Sequence, residues 1–599
     1  MKEQFYMNDV IRNRLNQLRH IMAQRNVEAY IVPTADFHGS EFIGAHFKTR
    51  QYLSGFTGSA GTLVVTADAA GLWTDGRYFL QAEQELEGSG IKLFPMNLED
   101  SVSIEAFLND ALSEQGIVGA DGRTISAAWA LELSRALGPQ RILQMSEDLA
   151  DGLWPDRPPL PVDPVYILPE QYAGRSAADK LAWLRGEMQR LRADIHVIAD
   201  LAEIAWLFNL RGADIPCVPV FLSYAVIGAD YAKLFLDPHK LTPETRDYFN
   251  ELGVTLLPYE GAFQELSDIS KARVLLDPAR VNYALYSVLS DQIELIERDS
   301  PILLAKAIKN PVEQENLRKA HLMDGLALTK LLYWLKTTPP EQLGTELQVA
   351  ERVNRLRMEH EHCIGPSFGT LAGYGPHGAI IHFEPTQENQ AQLKPRGLLL
   401  LDSGGHYLEG TTDVTRTVAL GPLTEEEKKH FTLVLQGMLN LSSAVFPHGC
   451  RGFHLDVLAR EPLWTQGLDY GHGTGHGIGY LSCVHEPPVG FSWLRTQRYD
   501  TGVLEPGMVI SDEPGVYIPG SHGIRLENQL LCREAEAKGF LAFETLTLAP
   551  IDLDAVDMKW LDESGRVRLN NYHQRVYQAL APYLDREERE WLASATRAI

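Results

Sequence analysis

Apolar residues recur at helical spacing near the start of the chain, at Leu15, Leu18, Ile21 and Met22, and this stripe runs into the strand-like Ala29, Tyr30, Ile31 and Val32. The same order returns later, where Leu181, Leu184, Met188 and Leu191 lead into Ile195, His196, Val197 and Ile198. At comparable offsets beyond each strand stand YLSGF (52–56) and WLFNL (206–210). Two readings stay open: diverged copies of one unit, or two unrelated α/β units that look alike at this level. Either way a tandem of α/β domains is expected. Residues 312–336 and 344–360 have the pattern of long amphipathic helices, after which glycine-bounded, β-branched runs take over. Helices outside a curved, mostly antiparallel sheet fit that order. The tail from 559 onward returns to helical charge patterning and reads as a surface-packed extension.

Proline marks the seams. Pro155, Pro158, Pro159, Pro161, Pro164 and Pro169 lack amide donors and resist helix interiors and central strands, so a linker is expected near 155–175. A second seam runs from ERDSP (297–301) to KNP (309–311). The resulting division is 1–155, 156–310, 311–540 and 541–599.

Composition narrows the functional class. With 79 acidic against 54 basic residues, the 599-residue chain has a formal charge of −25, which repels nucleic acid and anionic membrane, and no basic patch offsets it. The longest apolar stretches, such as 218–227, fall far short of the roughly 20 residues that span a bilayer. The N-terminus, MKEQFYMNDVIRNRLNQLRH, lacks the apolar core of a secretory signal, so a cytoplasmic location is expected. Cys217, Cys363, Cys450, Cys483 and Cys532 are odd in number and free of C-x-x-C spacing, as reduced thiols would be, and structural zinc is not expected.

Five potential metal ligands lie in the last third: Asp402, Asp413, His476, Glu513 and Glu527. Asp402 ends the apolar run 398–401, a buried strand by its length. Gly404 and Gly405 then turn the chain, and TTDVTRTV (411–418) returns as a strand, so paired neighbours would aim Asp402 and Asp413 at a common point; turn chemistry is the competing reading. In GHGTGHGIG (471–479) the alternating glycines disfavour helix, each costing about 1 kcal/mol relative to alanine. A backbone that tolerates close approach of a ligand or metal is the better reading, against a flexible loop with incidental histidines. No H-E-x-x-H follows, which excludes the zincin arrangement. Pro514 biases Glu513 toward an extended strand end, while Arg525 and Glu527 share one strand face, either as a guanidinium steering a ligating carboxylate or as an exposed ion pair. Four carboxylates in one pocket would repel and take up protons, whereas two divalent cations cancel that charge and, about 3.5–4 Å apart, hold an activated hydroxide between them.

The set D-x10-D, His, E-P-G and R-x-E-N resembles that of the pita-bread metallopeptidases, and is similar to the long, three-domain, cytosolic Xaa-Pro aminopeptidase family. Motifs carrying the likeness run through the whole chain: LSGFTGSAGT (53–62), LWTDGRYFLQAE (72–83), WLFNLRGADIP (206–216), GPSFGTLAGYGPHGAIIHF (365–383), DSGGHYLEGTTDVTRT (402–417), GLDYGHGTGHGIG (467–479), VHEPP (484–488), SDEPGVY (511–517) and GIRLEN (523–528). The resemblance implies an α/β (α+β) chain of two tandem creatinase-like domains, a pita-bread catalytic domain and a C-terminal extension. It implies that Asp402 and Asp413 hold one metal and that Asp413, His476, Glu513 and Glu527 hold the other, with Asp413 and Glu527 bridging. His382 would approach the scissile peptide, His485 would stabilise the tetrahedral intermediate, His472 would lie near the prolyl side, and Glu513 would shuttle a proton. On its own, His382 in its apolar run reads as a core histidine on a strand.

The activity implied is release of the N-terminal residue from short peptides with proline second, through a metal-bridging hydroxide. Mn²⁺ is the implied metal, with Zn²⁺ or Co²⁺ able to occupy the site. Homodimerisation is implied too, with an N-terminal domain that narrows access; Asp75, Gly76, Arg77 and Tyr78 are candidates for that rim, against the plainer reading of Asp-Gly as a turn signal. The stretch FSWLRTQR (491–498) is longer than the family pattern. The alternatives are an Xaa-Pro dipeptidase of the same fold, a methionine aminopeptidase, a metal-free binding module and a creatinase-type amidine hydrolase. The last two dispense with the ligands, all five of which are intact here.

Overall fold

The computed structural model describes residues 2–96, 100–339, 342–494 and 502–599, with side chains from residue 8 onward; the last four positions of the long stretch, 495–498, lie outside the described residues. The chain divides into two compact units, one made of 1–167 and 175–302, the other of 168–174 and 303–599.

The first unit holds two six-stranded mixed sheets of one topology. In the first sheet, Ala29–Pro33 pairs antiparallel with Thr62–Thr66 and parallel with Ile117–Ala120; Thr62–Thr66 pairs antiparallel with Ala70–Thr74, and Lys92–Pro95 and Ile142–Gln144 complete the edges in parallel. In the second, Ile195–Ile198 pairs antiparallel with Ser223–Gly228 and parallel with Arg273–Leu276, and Ala232–Leu236, Val254–Leu257 and Glu294–Glu297 repeat the other places. Two copies of one unit therefore describe these segments better than chance likeness. The helix Lys2–Gln24 lays Ile11, Leu15, Leu18 and Met22 on Tyr30, Val32, Leu63 and Val65, as the 3–4 spacing requires. In the second copy the helix Ala177–Leu191 buries Leu181, Leu184 and Met188. The copies are tied to each other by a buried polar cluster: His38 Nδ1 lies 2.8 Å from the Ala199 carbonyl, His38 Nε2 lies 2.7 Å from the Tyr259 hydroxyl, and Asn282 Nδ2 donates to the Phe37 carbonyl at 2.8 Å.

In the second unit, long helices flank small antiparallel sheets. The helix Pro311–Thr337 starts at a capping box, where Asn310 accepts from the Val312 and Glu313 amides and Pro311 occupies the first turn. Such a cap is worth about 1 kcal/mol. The helix Glu346–Met358 follows. The strands Leu371–Tyr374, Leu398–Ser403 and Val414–Ala419 form one sheet; Val445–Pro447, Phe540–Thr545, Asn528–Glu534 and Val509–Asp512 form another. All the pairings between them are antiparallel.

The seam at 297–311 holds a helix, Pro301–Ala307, since proline at a first helical position costs no hydrogen bond. Two expectations need correction here. The end of the first linker belongs to the second unit: Glu170–Ala173 is a short helix whose carbonyls at Gln171 and Ala173 accept from Asn316 and Asn310. The tail does more than coat a surface. Its helix Glu563–Leu580 buries Leu569, Val576 and Leu580, and sends the Tyr572 hydroxyl inward to meet the Arg416 guanidinium at 2.8 Å.

Candidate metal centre

The register of Leu398–Ser403 against Val414–Ala419 sets Asp402 opposite Thr415. Side chains alternate with period two, so Asp413, two residues before Thr415, shares the face of Asp402. The turn between the strands is not made at Gly404 and Gly405. Gly405–Tyr407 is a short strand of its own, paired with Gly410–Thr411. Gly404 is needed instead because a Cβ there would sit 2.0 Å from the Thr412 carbonyl.

The glycines around His476 have a similar explanation. Gly475–His476 forms a short strand paired with Gly490–Phe491. A Cβ on Gly475 would lie 1.9 Å from the Ser511 carbonyl, and one on Gly477 would lie 2.1 Å from that of Glu486. The close approach at these two glycines is to neighbouring backbone. It seats His476 against the strand Val509–Asp512, where the Ser511 hydroxyl accepts from the His476 amide at 2.9 Å. Glu513 follows that strand directly, its amide donating to the Thr474 carbonyl.

These elements converge. Among the described residues, donor atoms of Asp413, His476 and Glu527 lie within 4.8 Å of one another. His476 Nε2 is 3.5 Å from Asp413 Oδ2 and 3.4 Å from Glu513 Oε1. Its Nδ1 donates to the Gly477 carbonyl at 3.1 Å, which turns Nε2 toward the carboxylates. Glu527 Oε2 accepts from the Thr415 hydroxyl at 2.8 Å. Arg525 is buried, which removes the exposed-pair reading, yet its guanidinium steers Asp402 rather than Glu527: Nη2 donates to Asp402 Oδ2 at 2.6 Å. The strand His522–Arg525 ends there, and the break before Asn528 turns Glu527 to the other side of the Thr415 hydroxyl, to which Arg525 Nε also donates at 3.2 Å.

His485 meets this cluster directly, while His472 and the segment carrying His382 reach it through the partners of Arg525. The His485 ring meets that of His476 edge to face, centroids 4.2 Å apart. Its neighbour Glu486 is buried between Lys306 (3.0 Å) and Lys309 (2.5 Å). His472 Nδ1 donates to the Gly473 carbonyl, leaving Nε2 to accept from the Tyr517 hydroxyl at 2.8 Å, which in turn accepts from Arg525 Nη1 at 2.8 Å. His382 lies in a turn after the 3-10 helix Gly375–Ala379, not on a strand, since Pro376 and the flanking glycines interrupt the apolar run. The carbonyl of its neighbour Ile381 accepts from Arg525 Nη1 at 3.4 Å.

Two partners were not visible in the sequence as site residues. Tyr517 links Arg525 to His472, and Gly515 leaves room for its hydroxyl, since a Cβ there would be 2.6 Å from that oxygen. The signal was a tyrosine in a buried strand, which needs a partner for its hydroxyl. Glu346, with no exposed surface, accepts from the amides of Tyr374 (2.7 Å) and Ala391 (2.6 Å) and faces His377 Nδ1 at 2.9 Å. It ties down both ends of the segment that carries His382, and His377 stacks on Phe383 next to that histidine.

The electrostatics ask for cations. Burial, and then the neighbouring carboxylates Asp402 and Glu513, push Asp413 well above the usual carboxylate range. Glu527 is raised in the same way by burial, Asp413 and Glu513, and Glu513 is raised by burial. Asp402 Oδ1 and Glu527 Oε1 are buried and accept no hydrogen bond from the described residues. A hard, oxygen-rich donor set with one imidazole lone pair and two open carboxylate oxygens fits divalent metal ions.

Comparison with known proteins agrees with this geometry. Family models for the creatinase/prolidase N-terminal domain match residues 14–152 and 156–313, metallopeptidase family M24 matches 315–534, and the C-terminal region of peptidase M24 matches 539–599. The probable Xaa-Pro aminopeptidase P of Talaromyces stipitatus is 40% identical over 608 residues, covering 98% of this chain and 92% of its own length. Aminopeptidase P1 of Arabidopsis thaliana is 37% identical over 643 residues, covering 98% of this chain and 99% of its own. The crystal structure of X-prolyl aminopeptidase from Caenorhabditis elegans, a cytosolic enzyme with a di-nuclear active site, matches with a TM-score of 0.93 and 34% identity over 98% of this chain and 99% of that one. The chain belongs to the Xaa-Pro aminopeptidase P family of M24 metallopeptidases.

Proposed function

We propose that this chain is a dimetal aminopeptidase that releases the N-terminal residue of peptides with proline in second position. The observation that carries the reading is the convergence of Asp402, Asp413, Glu513 and Glu527 with the His476 lone pair in one buried pocket, against a single guanidinium. In this reading Asp402 and Asp413 hold one ion; Asp413, His476, Glu513 and Glu527 hold the second; Asp413 and Glu527 serve both. Mn²⁺ is the ion we favour for so many carboxylates. Two such ions supply Lewis acidity and make water acidic enough to act as a nucleophile near neutral pH.

The chain's own residues do the rest. Glu513 takes the proton of the attacking water and passes it to the departing prolyl nitrogen, which has no N–H and leaves as a secondary amine. His485 and His382 donate to the oxygen that gains charge at the scissile carbonyl. His472, its tautomer fixed by Gly473 and Tyr517, borders the prolyl ring. Arg525, donating to Asp402 Oδ2, holds that carboxylate in place for the ions.

Initial rates with an Xaa-Pro-Yaa tripeptide and an Xaa-Pro dipeptide, each with and without chelator, test the assignment. The expected result is tripeptide cleavage that chelator abolishes and Mn²⁺ restores. Turnover of the dipeptide alone makes the enzyme a dipeptidase, and chelator-resistant cleavage removes the metals from the reaction.

No helix among the described residues is long and apolar enough to cross a membrane. We place the enzyme in the cytoplasm because the similar X-prolyl aminopeptidase of Caenorhabditis elegans is described as cytosolic. We also assign it as a homodimer. Trp464 and Trp493 meet edge to face at 6.1 Å while 39% and 49% exposed, an apolar surface a second copy would cover. Sedimentation equilibrium giving twice the chain mass is expected, and a monomer at micromolar concentration rejects it.

A further inference from the structure

We propose that the buried ion pair Asp324–Arg357 is a positioning device that sets the spacing of Asp402 and Asp413. The inference rests on the reading of those two aspartates as metal ligands.

Asp324 lies on the helix Pro311–Thr337 and Arg357 on the helix Glu346–Met358, 4% and 1% exposed respectively. Arg357 Nε donates to Asp324 Oδ1 at 2.6 Å, and Nη2 is 3.4 Å from Oδ2. The pair then grips the connection between the two ligand strands at both of its roots. Arg357 Nη2 donates to the carbonyl of Ser403, the residue after Asp402, at 3.3 Å. Asp324 Oδ1 accepts from the hydroxyl of Thr412, the residue before Asp413, at 2.9 Å, and from the Tyr407 hydroxyl at 3.2 Å. Thr412 Oγ1 in turn accepts from the Gly405 amide at 2.9 Å, which closes the base of the connection.

Stability alone does not account for this arrangement. A buried ion pair pays so much desolvation that apolar side chains of similar volume serve a core as well or better. Here Arg357 Nη1 is also buried with no partner among the described residues. What an apolar pair cannot supply is direction: one ion pair orients a carbonyl beside one ligand and a hydroxyl beside the other. A slip of one residue between the two strands would turn Asp402 or Asp413 to the opposite face. The pair resists that slip from outside the sheet. Neither residue touches the donor cluster itself, so each acts through Ser403 and Thr412.

The test is a competition titration of Mn²⁺ against a chelator on the metal-free full-length protein, with metal stoichiometry and melting temperature measured alongside. In the double variant Asp324→Leu/Arg357→Met, which removes both charges together, Mn²⁺ affinity is expected to fall about 10–100-fold, the loss typical when outer partners of ligands are removed. Metal-free melting should fall only modestly, because both charges go together while the Thr412 and Tyr407 hydroxyls and the Ser403 carbonyl lose a partner, and kcat for an Xaa-Pro-Yaa tripeptide should fall more than KM rises. Thr412→Val, which deletes one hydroxyl with its bonds to Asp324 and the Gly405 amide, should move affinity in the same direction by a smaller factor with a modest fall in metal-free melting temperature; it decides the matter if the double variant does not fold. Wild-type affinity and stoichiometry in Thr412→Val and in a folded double variant overturn the proposal. Wild-type protein that takes up no Mn²⁺ overturns the ligand reading beneath it, a distinct result.

Discussion

Asp413→Asn should lower turnover of an Xaa-Pro-Yaa tripeptide about 10³-fold or more while the metal-free protein melts at or above the wild-type temperature. A factor of 10³ corresponds to about 4 kcal/mol of transition-state stabilisation. The two halves of this expectation have one cause. In the metal-free pocket Asp413 is fully buried, faces Asp402 and Glu513, and is driven toward protonation, so its charge opposes folding. Replacing it with a neutral amide relieves that repulsion. In the proposed site the same charge would serve both cations, and an amide offers one neutral oxygen in its place. The variant should therefore lose most of the melting shift that excess Mn²⁺ gives the wild type, a shift equivalent to about 2.7 kcal/mol at a hundredfold excess over Kd. Calorimetry of both proteins with and without Mn²⁺, beside tripeptide kinetics, checks all three parts. Full activity in the variant removes Asp413 from the centre, and a collapsed metal-free fold makes its role structural.

Much of this site could be read from the chain because its donors sit where strands leave the core, and those strands are short, β-branched and bounded by glycine. Asp402 and Asp413 could be aimed at one point from period-two alternation alone, and the observed register of Asp402 opposite Thr415 is that arrangement. What remained hidden depends on distances between segments far apart in sequence. Nothing local tells that Arg525 serves Asp402, 123 positions upstream, rather than Glu527 beside it. Glu346, Asp324 and Arg357 look like ordinary charged positions on amphipathic helices, and only the fold shows that each is buried. His382 was misplaced because an apolar neighbourhood looks alike in a strand and in a buried turn; Pro376 was the clue. The glycines at 475 and 477 signalled close approach, but sequence could not say that the Ser511 and Glu486 carbonyls come so near. The tandem α/β pattern needed pairing order, which periodicity does not carry, before common topology could be told from likeness.

Metal-free protein should lose stability as pH rises from the ordinary carboxylate range, and excess Mn²⁺ should reverse that trend. Asp413 and Glu527 have folded-state values well above their unfolded ones, and Asp512, buried beside Glu513, is raised as well. Between the unfolded and folded values the native state holds more protons than the unfolded chain, so unfolding becomes easier with increasing pH. Stability from these groups is complete below the unfolded value and is lost as pH climbs through the folded one. Buried histidines act in the opposite sense: His196, lowered to about 4, and His573, lowered to about 3, both by burial, withdraw stability as pH falls below the ordinary histidine range. The carboxylate effect is therefore clearest above about pH 7, where the free imidazole is already neutral. Cation binding requires the ionised carboxylates and competes with their protons, so the melting shift at fixed Mn²⁺ grows with pH. Subtracting the metal-free profile of Asp413→Asn from that of wild type cancels the histidines and should leave a difference that becomes more negative as pH rises. A flat difference, together with a melting shift that is independent of pH, would mean that these carboxylates are not packed against one another in the folded protein.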